Sequence, residues 1–246
     1  MPTKKEYNFS NPNASLRTNN LVGFYSAILT AVLTVVTFGF AIVAVPISGA
    51  FCLQNCITYP YLDSVAQYPH DYRWMVLALV MTVSYLIFMA AVRAYASCEK
   101  KLLGQIGLYF ALISSAILLV TYFTQVSIVP ISLMKGETEG IALLTQYNPH
   151  GIFIALEELA YLLMSLSFLF MGLALGSKSR VESAARWVFI GAFVLVFVLL
   201  AVVSFTYGLD REYRFEVAAI SVDWLALIIN GILLAILFLR ESKTAK

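Results

Sequence analysis

Glu157, Glu158 and Asp223 are carboxylates set in stretches that otherwise carry almost only apolar side chains. A carboxylate there can bind a cation or a proton, serve as a general acid or base, or tie one helix to another. Glu158 recurs at seven-residue spacing with Ser165 and Gly172, with Gly176 near the same line, and Glu216, Asp223 and Asn230 recur at sevens as well. On a helix each set shares a face. This spacing predicts an intramembrane polar site made of Glu158, Asp223, Asn230 and Ser165, with Tyr161 as its fifth member. Glu157 points about 100° away from Glu158. It shares its face with Tyr161, Met164, Phe168 and Met171, which reads as a lipid or packing face. The expectation is therefore that Glu158 meets Asp223 across two helices, while Glu157 turns toward headgroups or Arg214.

Other chemistry is sparse. With His70 and His150 as the two histidines, no HExxH zinc helix is possible. There is no G-x-S-x-G elbow, no P-loop and no G-x-G-x-x-G. Ser97-Cys98-Glu99-Lys100 matches S-x-x-K but lacks the companion motifs. A retinal-type receptor needs a buried Lys in a seventh helix, and no apolar run holds a Lys. Nothing in the sequence names a cofactor. Cys52 and Cys56 share one loop, and a disulfide between them is expected, with Cys98 left free. Two close Cys with two distant His lack zinc-ligand spacing, so no metal site is expected.

The elements that must position these residues follow from the distribution of charge. Of 246 residues, 61% are hydrophobic and 12% charged, about half the charge of a soluble domain. Lipid replaces the missing polar surface. Crossing the hydrocarbon takes about 20 apolar residues, and the chain has room for six such crossings. They are predicted at 21–45, 74–96, 104–129, 151–176, 187–208 and 217–239, forming one membrane domain over 21–239 between tails at 1–20 and 240–246. The fold class is thus an all-α polytopic transmembrane helix bundle; strand-type alternation is absent. The net charge of +2 is spread over single and paired basic residues, which argues against nucleic acid as a partner.

Twelve of the 16 Lys and Arg fall on the side that carries both termini. The positive-inside rule therefore puts both termini in the cytoplasm of a cell-membrane protein. Most acids fall on the opposite side, where a cation would be enriched. Tyr25, Tyr95 and Trp187 are placed in one aromatic belt, and Trp74, Tyr122, Tyr207 and Trp224 in the other. Asp71 is expected to cap the second crossing helix and Asn148-Pro149 to start the fourth, with a turn at Gly136–Gly140 and a short helix over 141–146. Polar faces (Ser26, Thr30, Thr34 and Thr37 in the first helix; Ser114, Thr121 and Gln125 in the third) suggest that helices one, three, four and six face one another. Between Val188 and Val203 the fifth helix has no polar side chain, which puts it against lipid.

Three functional readings follow. The first is a transporter-like protein for a small solute, cation or proton, with a carboxylate site in the outer leaflet. The second is an intramembrane enzyme using paired carboxylates on a lipid or isoprenoid. The third is a non-catalytic sensor or subunit with its Tyr-rich outer loop as the binding surface. Expected partners are the bilayer and a cation, small molecule or lipid at the outer side, with self-association open. Below Asn230 the sixth helix turns apolar, which favours a closed outer pocket over a pore.

Overall fold

The computed structural model describes residues 12–44 and 46–244. Lys4, Lys5 and Lys246, which enter the charge argument, lie outside the described residues. The described residues form helices and no strand. In chain order these are α1 (Pro12–Val43), α2 (Arg73–Tyr95), α3 (Lys101–Ser127), α4 (Val129–Lys135), α5 (Ile141–Leu144), α6 (Ile152–Ala174), α7 (Arg180–Tyr207) and α8 (Glu212–Thr244). The segments built on α1, α2, α3, α6, α7 and α8 are long and apolar enough to span a bilayer. The chain is a multi-pass membrane protein. Its helices overrun the uncharged runs, because a helix continues through the headgroup layer where Lys and Arg can snorkel.

The six long helices close a ring in the order α1, α2, α3, α6, α7, α8, with α6 and α8 also touching across it. This corrects the expectation that helices one and three face each other, since α2 stands between them. The polar face of α1 meets α2 at one point, where the Thr30 and Ser84 hydroxyls lie 2.8 Å apart and Ser84 Oγ reaches the Ser26 carbonyl at 3.5 Å, while Ser26 and Thr34 donate to carbonyls of their own helix. Such bonds hold membrane helices together for roughly 0.6 kcal/mol each. On α3, Ser114 Oγ donates to the Ala160 carbonyl of α6 at 2.8 Å. Helix α7 packs on α6 and α8 through Ala185, Phe189, Ala192 and Val196, and exposes most of its remaining surface.

Large side chains fill the centre of the ring. Tyr85, Phe88, Tyr122, Tyr161, Phe168 and Trp224 have essentially no exposed surface. Tyr122 and Trp224 are therefore interior residues, not members of an aromatic belt. The reason is chemical: a buried O–H or indole N–H needs a partner, and both find one inside. Tyr25 and Trp187 remain well exposed.

One end of the bundle carries residues 46–72, and the other carries the first turns of α1 beside the last of α8. At the first, Cys52 and Cys56 are joined, with Cα atoms 5.9 Å apart, and Cys98 is free and exposed. This is called the disulfide end below. The short helix and the turn before it form as expected. Two caps do not. Asp71 makes no cap bond to α2 but accepts from Tyr147 Oη at 3.0 Å. Asn148 Oδ1 accepts from the His150 amide and its Nδ2 donates to the Ala142 carbonyl. It thus folds the turn that precedes α6, whose first helical residue is Ile152. At the other end Ser179 and Glu182 start α7 together: Ser179 Oγ accepts from the Glu182 amide, and the Glu182 carboxylate accepts from Gly176 and Lys178. Free amide groups at a helix start are met by these side chains in the manner of a capping box.

Candidate functional site

At the disulfide end a cavity of about 180 Å³ opens between the 46–51 segment, the start of α2, residues 146–147 and the starts of α6 and α8. Asp71, Trp74, Tyr147, Phe153, Tyr213 and Glu216 line it. Tyr213 is fixed by two bonds. Its hydroxyl donates to the Gln146 carbonyl at 2.6 Å and accepts from Ser48 Oγ at 3.1 Å. Gly49, at φ +67°, lies against the Tyr213 ring where a Cβ would collide with it. The position thus calls for glycine both for its backbone conformation and for the closeness of the ring. Tyr147 is mostly buried, and burial with the Asp71 charge beside it pushes the phenol well above its ordinary value.

Glu216 is 8% exposed and faces Glu157, which is fully buried, with the two carboxyl groups within interaction range. Glu157 is held by a directional relay. Tyr122 Oη donates to Glu157 Oε1 at 2.6 Å, which leaves Tyr161 Oη to donate to Tyr122 at 2.9 Å, and Trp224 Nε1 donates to Tyr161 at 3.1 Å. Every donor points toward the carboxylate, an order in which successive bonds strengthen one another. Trp74 joins the cavity to this relay: its ring stands 5.5 Å from that of Tyr122 and 6.5 Å from that of Trp224. Glu157 Oε2 is buried and takes no donor among the described residues, and Glu216 is the acid within its range. Two bare carboxylate oxygens are both acceptors, so a proton or a cation between them is what lets such a pair share space.

Deeper in the bundle, Ser165 Oγ donates to Asp223 at 2.9 Å, with the second carboxylate oxygen at 3.2 Å. Asp223 is fully buried, and the Tyr85 and Tyr161 hydroxyls are within electrostatic reach. Seven residues on, the Asn230 amide is also fully buried, with no hydrogen-bond partner for its oxygen or nitrogen among the described residues. Beyond it Leu234, Leu237 and Phe238 close the interior.

Of the residues expected to form the site, Ser165 and Asp223 meet directly, and Tyr161 joins the relay above them. The buried stripe of Glu216, Asp223 and Asn230 lies along α8 as its spacing predicts. Glu158 does not meet Asp223. Its carboxylate takes the Arg211 guanidinium at 2.9 Å. Glu157, expected at the headgroups or on Arg214, is instead in the interior; Arg214 stacks on Tyr207 and donates to the Asp210 carbonyl. The physical reason is where small residues are needed. Gly172, on the Glu158 stripe, lies where a Cβ would press on Ile190, Phe189 and the Arg186 carbonyl of α7. The small stripe marks a close approach of two helices, and the bulky stripe of Glu157 fills the wide centre of the ring. Tyr122, Tyr85 and Asp71 were not anticipated as site residues. A Tyr placed within a hydrophobic span, rather than at its edge, is the signal that would have found the first two.

Among the described residues no group of three His, Cys, Asp or Glu side chains is arranged to hold a metal ion. The chain matches no protein-family profile, no curated protein and no solved structure.

Proposed function

We propose that this membrane protein moves protons or small cations, with Glu157 and Glu216 as the ion-exchanging pair and Asp223, Ser165 and Asn230 as the continuation of the path. The observation that carries this reading is the facing pair itself: two carboxyl groups, both at least nine-tenths buried, behind a cavity and without a Lys or Arg partner among the described residues. A permanent ion pair would cancel such charges, and here it is left to an exchangeable ion. The apolar closure below Asn230 fits an alternating-access device open to one side, not a standing pore.

The orientation is part of the proposal. The basic residues crowd the end that carries both described helix termini, and the disulfide is at the other. The disulfide end then faces outward in a cell membrane. Cys98 should accordingly react in intact cells with membrane-permeant maleimide only; labelling by an impermeant reagent would reverse the orientation.

The functional test is purified protein in liposomes with a trapped pH dye and an imposed Na⁺ or K⁺ gradient. Proton flux above that of protein-free vesicles is expected, falling at least about tenfold in Glu157→Gln and Glu216→Gln. Wild-type vesicles that leak no faster than empty ones under either gradient overturn the reading.

A further inference from the structure

We infer that the cavity at the disulfide end takes a small organic ammonium ion, a deepening of the proposed function that rests on that reading for its route but not for its binding. The cavity combines two features that separately recognise such a ligand. Its walls are aromatic, from Trp74, Tyr147, Phe153 and Tyr213, and its formal charge is negative, from Asp71 and Glu216. An ammonium or alkylated ammonium is attracted to ring faces, most strongly where water is excluded. Glu216, nine-tenths buried, lines the cavity, and on its inner side it faces another acid, Glu157, rather than a Lys or Arg of the described residues. A cation in the cavity would meet an acid that no Lys or Arg of the described residues neutralises.

The alternatives fit less well. A hard divalent cation wants about six or more oxygen ligands in one shell. The cavity's oxygens are partly committed: Asp71 Oδ2 accepts from Tyr147, and the Tyr213 hydroxyl is on Gln146 and Ser48. An anion would meet two carboxylates. Arg73 and His70 line an adjoining cavity that shares Asp71 and Trp74, but Arg73 is exposed and makes no ion pair with Asp71 among the described contacts. Size sets a limit as well. A cavity of about 150 Å³ holds a benzene-sized guest, so about 180 Å³ here admits a cation of some six to eight non-hydrogen atoms.

The test is binding, read by intrinsic tryptophan fluorescence of the full chain in detergent, with Trp74→Phe assigning the signal. Choline is the probe, and 3,3-dimethylbutan-1-ol, its uncharged isostere, is the control at matched ionic strength. Saturable binding of choline is expected, with the alcohol at least about tenfold weaker, and Glu216→Gln and Asp71→Asn each weakening choline by about tenfold. Equal response to both compounds, or none to choline in wild-type protein, overturns the inference without reference to any variant. Proton flux that depends on Glu157 alongside no choline binding sinks the ammonium proposal alone. Choline binding without flux leaves the pocket standing and removes the transport reading.

Discussion

Glu157 and Glu158 are consecutive residues of α6, and both are nearly or fully buried. Both lie within electrostatic range of Glu216, but their hydrogen-bond partners differ. Glu157 sits in the middle of the ring with uncharged donors, the Tyr122 relay on one oxygen and another acid beside the second. Glu158 sits on the α7 side, paired with Arg211, whose side chain is 31% exposed. A carboxylate on a cation is settled: the pair is neutral, and the partly exposed guanidinium keeps its water on the other side. A carboxylate on hydroxyls is unsettled, since its formal charge is not cancelled and a small ion can come or go. Burial alone therefore does not mark a working acid. The type of donor does.

The strongest way to break this comparison is at the relay. Glu157→Ala strands the Tyr122 hydroxyl in the interior and should destabilise the protein by about 3 kcal/mol, and Tyr122→Phe by about 2 kcal/mol, since a buried bond to a carboxylate is lost in each. Thermal unfolding in detergent would measure both. Because the two side chains act on one bond, the double variant should lose clearly less than the sum. Strict additivity would mean that the 2.6 Å contact contributes nothing.

A middle-sized effect is expected at the mouth of the cavity. Burial raises the Tyr147 phenol well above its ordinary value, so the folded protein holds it protonated. A group raised in this way contributes stability that is present below the unfolded phenol value of about 10 and is lost as pH climbs past it. Stability should therefore fall on the alkaline side. Tyr147→Phe should remove about 1 kcal/mol at neutral pH, from the lost bond to Asp71, and flatten that alkaline decline. Tyr61, raised by burial too, remains as background. An alkaline limb unchanged by the substitution would mean that Tyr147 is not its source.

The spans were legible because lipid excludes charge, and the absence of charge is visible without any contact information. The α8 stripe was legible for a related reason: Glu216, Asp223 and Asn230 are costly in hydrocarbon, so a shared face must turn inward. The partner of each acid was not. Helical spacing puts Glu158 with Ser165 and Gly172, but cannot say whether small residues mark a polar chamber or a helix–helix approach. Gly172 under α7 is the second case. Nor does spacing give neighbour order. The Thr30 hydroxyl of α1 meets Ser84 of α2, a helix whose polar residues form no obvious stripe. The Tyr122–Tyr161–Trp224 relay joins three helices distant in sequence, and only the ring closure brings them together.

The smallest effect is expected at Glu158. Its bond to Arg211 is the one a charge count would rank first, since it joins two full charges at 2.9 Å. Yet Arg211 is about a third exposed, and water takes over its guanidinium when the carboxylate goes. An ion pair at such a boundary contributes at most about 1 kcal/mol. Glu158→Gln keeps a side-chain oxygen for Arg211 and should change stability by roughly 0.5 kcal/mol, while proton flux in vesicles stays near wild type. Raising salt should shrink even this difference, because screening acts on exposed partners. The corresponding change at Glu157 should be less sensitive to salt, as Tyr122 is fully buried and Glu216 nearly so. If Glu158→Gln stops flux while Glu157→Gln does not, then the ion follows the α6–α7 side, and the interior relay is packing that happens to be polar.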